Sequence, residues 1–151
     1  MIKNNEPYLI EYNVRMGDPE CQVILPRIKN DLAQILFNAA NNKLSRNRIR
    51  WFKNICMTVV LCSKGYPGSY KKNVKIANLE KKRKIKNIQI IHAGTLKIKD
   101  NFFSNGGRVL NITGIGKNIR ILKKQIYKFL KHLNWKNGFY RSDIGWRLLN
   151  K

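Results

Sequence analysis

Nine consecutive residues, "ICMTVVLCS" (Ile55 to Ser63), constrain the chain more than any other stretch. They are apolar on both alternating faces and rich in β-branched side chains, the signature of a strand covered on both sides. Such a strand commits the region around it to a sheet. Further strands come in "IQIIHAG" and "RVLNITGIG", with "NFFSNGG" (Asn101 to Gly107) as the loop entering the second of them. "GYPGSY", with two glycines around a proline, reads as a turn from Gly65 to Tyr70. Asn118 caps a helix whose apolar stripe is Ile119, Leu122, Ile126, Phe129, Leu130 and Leu133. The tail "NGFYRSDIGWRLL" reads as a short strand and turn, and no internal repeat is present.

Upstream the period changes. Tyr8, Ile10, Tyr12 and Val14 alternate with Leu9, Glu11, Asn13 and Arg15, as a strand requires. Gly17-Asp18-Pro19 then turns the chain, with Asp18 placed as an N-cap and Pro19 at the first helical position. Pro26 restarts or kinks the next segment, in which Ile28, Leu32, Ile35, Leu36 and Ala39 form a helical stripe. The stripe fades in the polar stretch Asn41 to Arg50, the candidate domain boundary.

With 151 residues and 43% hydrophobic content, the chain can form an ordinary globular core. No apolar run approaches the ~20 residues of a membrane span, and "MIKNNEPYLI" has no apolar segment of the secretory kind. Cys21, Cys56 and Cys62 are odd in number and have no histidine nearby, so they match no disulfide framework or zinc spacing. They read as small buried hydrophobes in a reducing cytoplasm. The net charge of +23 raises nucleic-acid binding. Against it, the lysines are scattered (Lys3, Lys29, Lys43, Lys53, Lys64) rather than gathered on one helix face, and no recognition motif is present. The dense run Glu80 to Lys86 reads as a solvated loop. A joint excess of Lys, Asn and Ile fits the codon bias of an AT-rich genome.

Chemistry is concentrated near the N-terminus. On one strand face Glu11, Asn13 and Arg15 would succeed one another about 6.6 Å apart. A carboxylate and an amide oxygen suit Mg²⁺, which takes oxygen ligands from one or two carboxylates plus substrate phosphates. The guanidinium suits phosphate oxygens. Polar residues on an exposed strand face are common, so the spacing by itself also fits a purely structural strand.

The string "EYNVR" resembles the E-x-N-x-R element of ATP-grasp enzymes. The longer "IEYNVRMGDPECQVILPRIKNDL", with "VVLCSKGYPGSY", "IIHAGT", "NGGRVLNITGIG" and "FYRSDIGWRLL", resembles the glycinamide ribonucleotide synthetase (phosphoribosylamine–glycine ligase) family over nearly the whole chain. The resemblance implies an α+β fold. Residues 1–42 would be the C-terminal end of an ATP-grasp domain, and 43–151 a small, mostly β C-terminal domain with one long helix. It implies an ATP-dependent ligase joining glycine to 5-phosphoribosylamine through glycyl phosphate, in de novo purine synthesis. Glu11 and Asn13 would hold Mg²⁺ (or Mn²⁺), with Arg15 on the transferred phosphoryl group. Gly17, Asp18 and Glu20 would lie beside the substrates. Gly65, Tyr66, Pro67 and Gly68, with the loop Asn105 to Arg108, would face phosphoribosylamine, although each of these turns also has a purely structural reading. His92 reads as a strand-end packing residue.

Two departures stand out. Cys21 replaces a small polar residue of the family, and only about the last third of the family's enzyme is matched. On this resemblance the chain would lack the family's N-terminal domain, its Gly-rich lid, its adenine-holding strands and its metal-binding acid on the strand before Tyr8. The implied partner is therefore the missing N-terminal portion of the enzyme, with no membrane and no specific nucleic acid. An inactive truncated remnant and a small basic nucleic-acid-binding protein stay open as alternatives.

Overall fold

The structure is a computed structural model describing residues 1–44, 48–79 and 86–149. Its first half runs β1 (Ile2–Lys3), β2 (Glu6–Pro7), α1 (Cys21–Ile24), a 3₁₀ turn (Leu25–Arg27), α2 (Leu32–Ala40) and β3 (Ile55–Ser63). Then come β4 (Val74–Ile76), β5 (Ile88–His92), β6 (Thr95–Ile98), β7 (Asn101–Ser104), β8 (Arg108–Gly116), α3 (Ile119–His132), β9 (Gly138–Phe139) and α4 (Trp146–Leu149). The chain is mostly β with few helices.

The run Ile55–Ser63 is indeed the strand β3, inside a four-stranded antiparallel sheet of order β5-β8-β3-β9. Its register on β8 runs from Ile55↔Gly116 to Leu61↔Leu110, with a bulge between Leu61 and Cys62. Met57, Val59 and Leu61 of β3 are buried, together with Leu110 and Ile112 of β8 and Leu122, Ile126, Phe129 and Leu130 of α3. Gly114 lets α3 come this close: a Cβ there would stand 2.7 Å from Leu122 Cδ1 and 3.2 Å from Ile126 Cδ1. Each fully buried Leu or Ile contributes about 1.5–3 kcal/mol, which makes this layer the main source of stability. Asn118 caps α3 as its sequence implied, its side-chain oxygen accepting from Arg120 N (2.9 Å) and Ile121 N (3.2 Å). The opposite face of β3, carrying Cys56, Thr58, Val60 and Cys62, is only half-buried.

Several expectations are corrected. Asn101 to Ser104 is the middle strand of a second, three-stranded sheet, β4-β7-β6, rather than a loop. Its alternation is too short to see locally, and pairing with Val74–Ile76 and Thr95–Ile98 creates it. Tyr8 to Arg15 forms no strand. Its apolar residues stand in solvent, Tyr12 at 84% and Val14 at 98% exposure, because no neighbouring strand meets it among the described residues. Ile28 lies outside the helix: it bridges Trp51, and α2 starts at Leu32, where Asp31 accepts from Ala33 N and Gln34 N. Leu36 and Phe37 of α2 are exposed, so that stripe covers no core. The tail adds the short helix α4. The three cysteines are free and half-buried rather than buried. Residues 80–85 of the basic run, and 45–47 of the polar stretch, lie outside the described residues.

The lysines are also less scattered in space than along the chain. Arg120, Lys124, Lys128 and Lys131 share the outer face of α3, opposite its buried residues.

Candidate functional site

The turn at residues 17–20 is held by its own acids. Gly17 N donates to Glu20 Oε2 (3.0 Å), and Gln22 Nε2 donates to Asp18 Oδ1 (2.8 Å). Asp18 does not cap α1: the residue before the helix is Glu20, with no side-chain cap bond. The Asp18 carboxylate instead has a stronger partner from far along the chain. Arg108 Nη2 lies 3.3 Å from Asp18 Oδ2, and Arg108 Nη1 donates to Asp18 O at 2.9 Å. Both side chains are about two-fifths exposed (41% and 39%), so the pair contributes at most about 1 kcal/mol of stability. Its main effect is positional: it ties the turn to the first residue of β8.

Two further loops meet at that end of β8. Gly65 takes φ +101°, a left-handed conformation natural to glycine, and this swings Tyr66 over the Gly106-Gly107 corner. A Cβ on Gly107 would lie 2.5 Å from Tyr66 Cε2. Ser63, fully buried, ties the corner down: its N donates to Gly107 O (2.7 Å) and its Oγ to Gly106 O (2.8 Å). Gly94 touches Gly106 so closely that a Cβ on it would stand 2.7 Å from Gly106 Cα. The peptide bonds Asp18–Pro19 and Tyr66–Pro67 are both cis. Thus Gly17, Asp18 and Glu20 form one turn that reaches Arg108 at the start of β8, and Gly65 to Gly68 form one loop that reaches the glycine corner just before it.

Between them lies an apolar groove of about 400 Å³, lined in part by Pro19, Thr58, Cys62, Tyr66 and Tyr140. Burial pushes the Cys62 thiol up, against the lowering effect of Arg108, and does the same to Cys56. His92 ends β5 with Nδ1 2.8 Å from Thr95 Oγ1 and its ring 4.9 Å from that of Phe102. Partial burial lowers its pKa.

The Glu11-Asn13-Arg15 row is only partly brought together. Asn13 Nδ2 donates to Glu11 Oε1 at 3.0 Å, which puts carboxylate and amide side by side. Arg15 turns away and donates from Nη1 to Met16 O (2.9 Å). Among the described residues, no three His, Cys, Asp or Glu side chains are placed to hold a metal. The Glu11–Asn13 pair nevertheless fits part of a Mg²⁺ shell: rotating the amide presents its oxygen beside the carboxylate, and Mg²⁺ keeps waters and phosphates as its other ligands. What sequence reasoning missed is the clamp of Arg108 on Asp18 and the roles of Ser63 and Gly94. The first spans 90 residues, and no local pattern announces such a contact.

Residues 56–147 match the family model "Phosphoribosylglycinamide synthetase, C domain". The chain is 44% identical over 151 residues to the chloroplastic phosphoribosylamine–glycine ligase of Arabidopsis thaliana, covering 99% of this chain and 28% of that one. To the phosphoribosylamine–glycine ligase of Agrobacterium fabrum it is 43% identical over 149 residues, covering 99% of this chain and 35% of that one. The crystal structure of phosphoribosylamine–glycine ligase from Thermotoga maritima superposes with a TM-score of 0.73 at 27% identity, covering 95% of this chain and 34% of that one. The chain thus spans about a third of the length of the relatives it matches. With a model of the C domain matched over most of its length, on a fold whose loops converge at the start of β8, the chain belongs to the phosphoribosylglycinamide synthetase family.

Proposed function

We propose that the chain supplies the C-terminal part of an ATP- and Mg²⁺-dependent ligase. The reaction joins glycine to 5-phosphoribosylamine by way of glycyl phosphate and gives glycinamide ribonucleotide, ADP and phosphate. The observation that carries this reading is the clamp of Arg108 on Asp18, which fastens the turn after the Glu11–Asn13 pair to the loops of the family's C domain. On this reading residues 1–42 close an ATP-grasp domain and 43–151 form the C-terminal domain.

In that setting Glu11 and Asn13 hold Mg²⁺ (or Mn²⁺), whose role is to offset charge on the ATP phosphates. Arg15, freed from Met16 O, presents its guanidinium to the moving phosphoryl oxygens. Gly17, Asp18 and Glu20 and the loop Gly65 to Gly68 line the side where the amine substrate approaches. On this reading the compartment is the cytoplasm.

Acyl-phosphate chemistry needs its substrates held together out of water, and this chain provides one wall of such a site. The partner is accordingly the N-terminal portion of the same enzyme. The test is ADP release that depends on both glycine and phosphoribosylamine, by the chain alone and mixed with the N-terminal two thirds of a relative. Turnover only in the mixture supports the proposal. Full turnover by the chain alone overturns the division of labour, and none in the mixture favours an inactive remnant.

A further inference from the structure

The outer face of α3 carries a feature that the ligase reading does not use. At 100° per residue, Arg120, Lys124, Lys128 and Lys131 fall within a wedge of about 80°. Along the axis they are about 6, 6 and 4.5 Å apart. All four are exposed, and the opposite face holds Leu122, Ile126, Phe129 and Leu130 in the core. The helix contains no acidic residue. Arg120–Lys124 and Lys124–Lys128 are therefore like-charge pairs at i,i+4, which weaken a helix unless an anion answers them. Among the described residues no ion pair involves the stripe: Asp18 is paired with Arg108, and Asp143 with Arg141 at Nη2–Oδ2 2.6 Å. Arg120 is steadied by donating from Nη2 to Leu149 O (3.1 Å).

We propose that this stripe is a docking surface for the phosphate backbone of a nucleic acid, bound without regard to sequence. A regular row of cations on a rigid helix matches a regular row of phosphates, whose neutralisation releases counterions. A lipid surface asks for an apolar face beside the cations. Ile121 is the one large apolar residue of α3 that stands exposed. The proposal does not depend on the ligase reading.

The test is fluorescence anisotropy of a short labelled oligouridylate with the full chain across a salt series. Three variants are compared: Lys124→Gln/Lys128→Gln/Lys131→Gln, the same three sites changed to Arg, and a control, Lys71→Gln/Lys72→Gln/Lys75→Gln, with the same loss of charge. For single strands the log–log salt slope is about −0.7 per phosphate contact. The α3 Gln variant should therefore lose about 2 units of slope, while the Arg variant and the control keep theirs. Circular dichroism checks that the helix persists in each. Equal loss in the control, loss in the Arg variant, no binding by the parent at low salt, or displacement of the RNA by anionic vesicles overturns the proposal.

Discussion

Gly107 is the point where the site's loops depend on the absence of one carbon. In Gly107→Ala the new Cβ would fall 2.5 Å from Tyr66 Cε2 and closer still to Cδ2, against 3.4–4 Å for ordinary contact. The ring must therefore retreat by about an ångström. It has little freedom to do so, because Tyr66 N donates to Ser63 O at 3.0 Å and Gly65 is fixed at a left-handed φ. Overpacking of this kind costs about 1–3 kcal/mol. If the corner shifts as well, Ser63 loses a buried bond to Gly106 or Gly107, which adds about 1 kcal/mol. The total, about 2–4 kcal/mol, corresponds to a fall in Tm on the order of 5–15 °C for a chain of this size. The matched control is Gly116→Ala, whose Cβ would meet Leu122 at 3.6–4.0 Å, an ordinary contact. It should stay within about 1 kcal/mol of the parent. Thermal and urea unfolding monitored by circular dichroism reads both. Tyr66→Ala in the Gly107→Ala background should recover part of the loss, since it removes the obstructing ring. Equal stability of the two alanine variants would refute the steric argument.

In the reconstituted enzyme Glu11→Gln keeps the shape and removes the charge, so turnover should fall on the order of 10²–10³-fold; near-normal activity at limiting Mg²⁺ would sink the metal assignment. Asp18→Asn should change stability by no more than about 1 kcal/mol, since its pair with Arg108 is partly exposed, yet raise KM for phosphoribosylamine in the mixture; an unchanged KM would argue that the clamp positions nothing. Because burial lowers the His92 pKa, folding disfavours its charged form: stability should be full above the unfolded value near 6.5 and decline as pH falls through it toward the folded value. His92→Gln should flatten that decline, measured as Tm against pH. Burial raises the thiols of Cys56 and Cys62, so alkylation near neutral pH should be markedly slower in the folded chain than in denaturant, with mass mapping of each site; equal rates would contradict their packing.

What the sequence determined by itself lies where the deciding interactions are local. The run Ile55–Ser63 becomes β3 because β-branched side chains on both faces suit a covered strand. Asn118 starts α3 because its oxygen needs only the amides two and three residues on. Gly65 makes a turn because its neighbours require a positive φ. The E-x-N-x-R row and the loop motifs were legible as a family pattern. Tertiary structure decided what depends on residues far away. Tyr8 to Arg15 alternates correctly and is still no strand, since a strand's backbone groups are satisfied by a neighbour and, among the described residues, none meets it. Asn101 to Ser104 resembles a loop and is a strand, because β4 and β6 flank it. Asp18 carries the signature of a helix cap, but α1 starts only at Cys21, and the Asp18 carboxylate is shared by the Gln22 amide and the Arg108 guanidinium that β8 delivers. The same holds for charge: lysines that look dispersed along the chain align on α3, since 3.6 residues per turn, anchored by a buried stripe, chooses which side chains share the outer face.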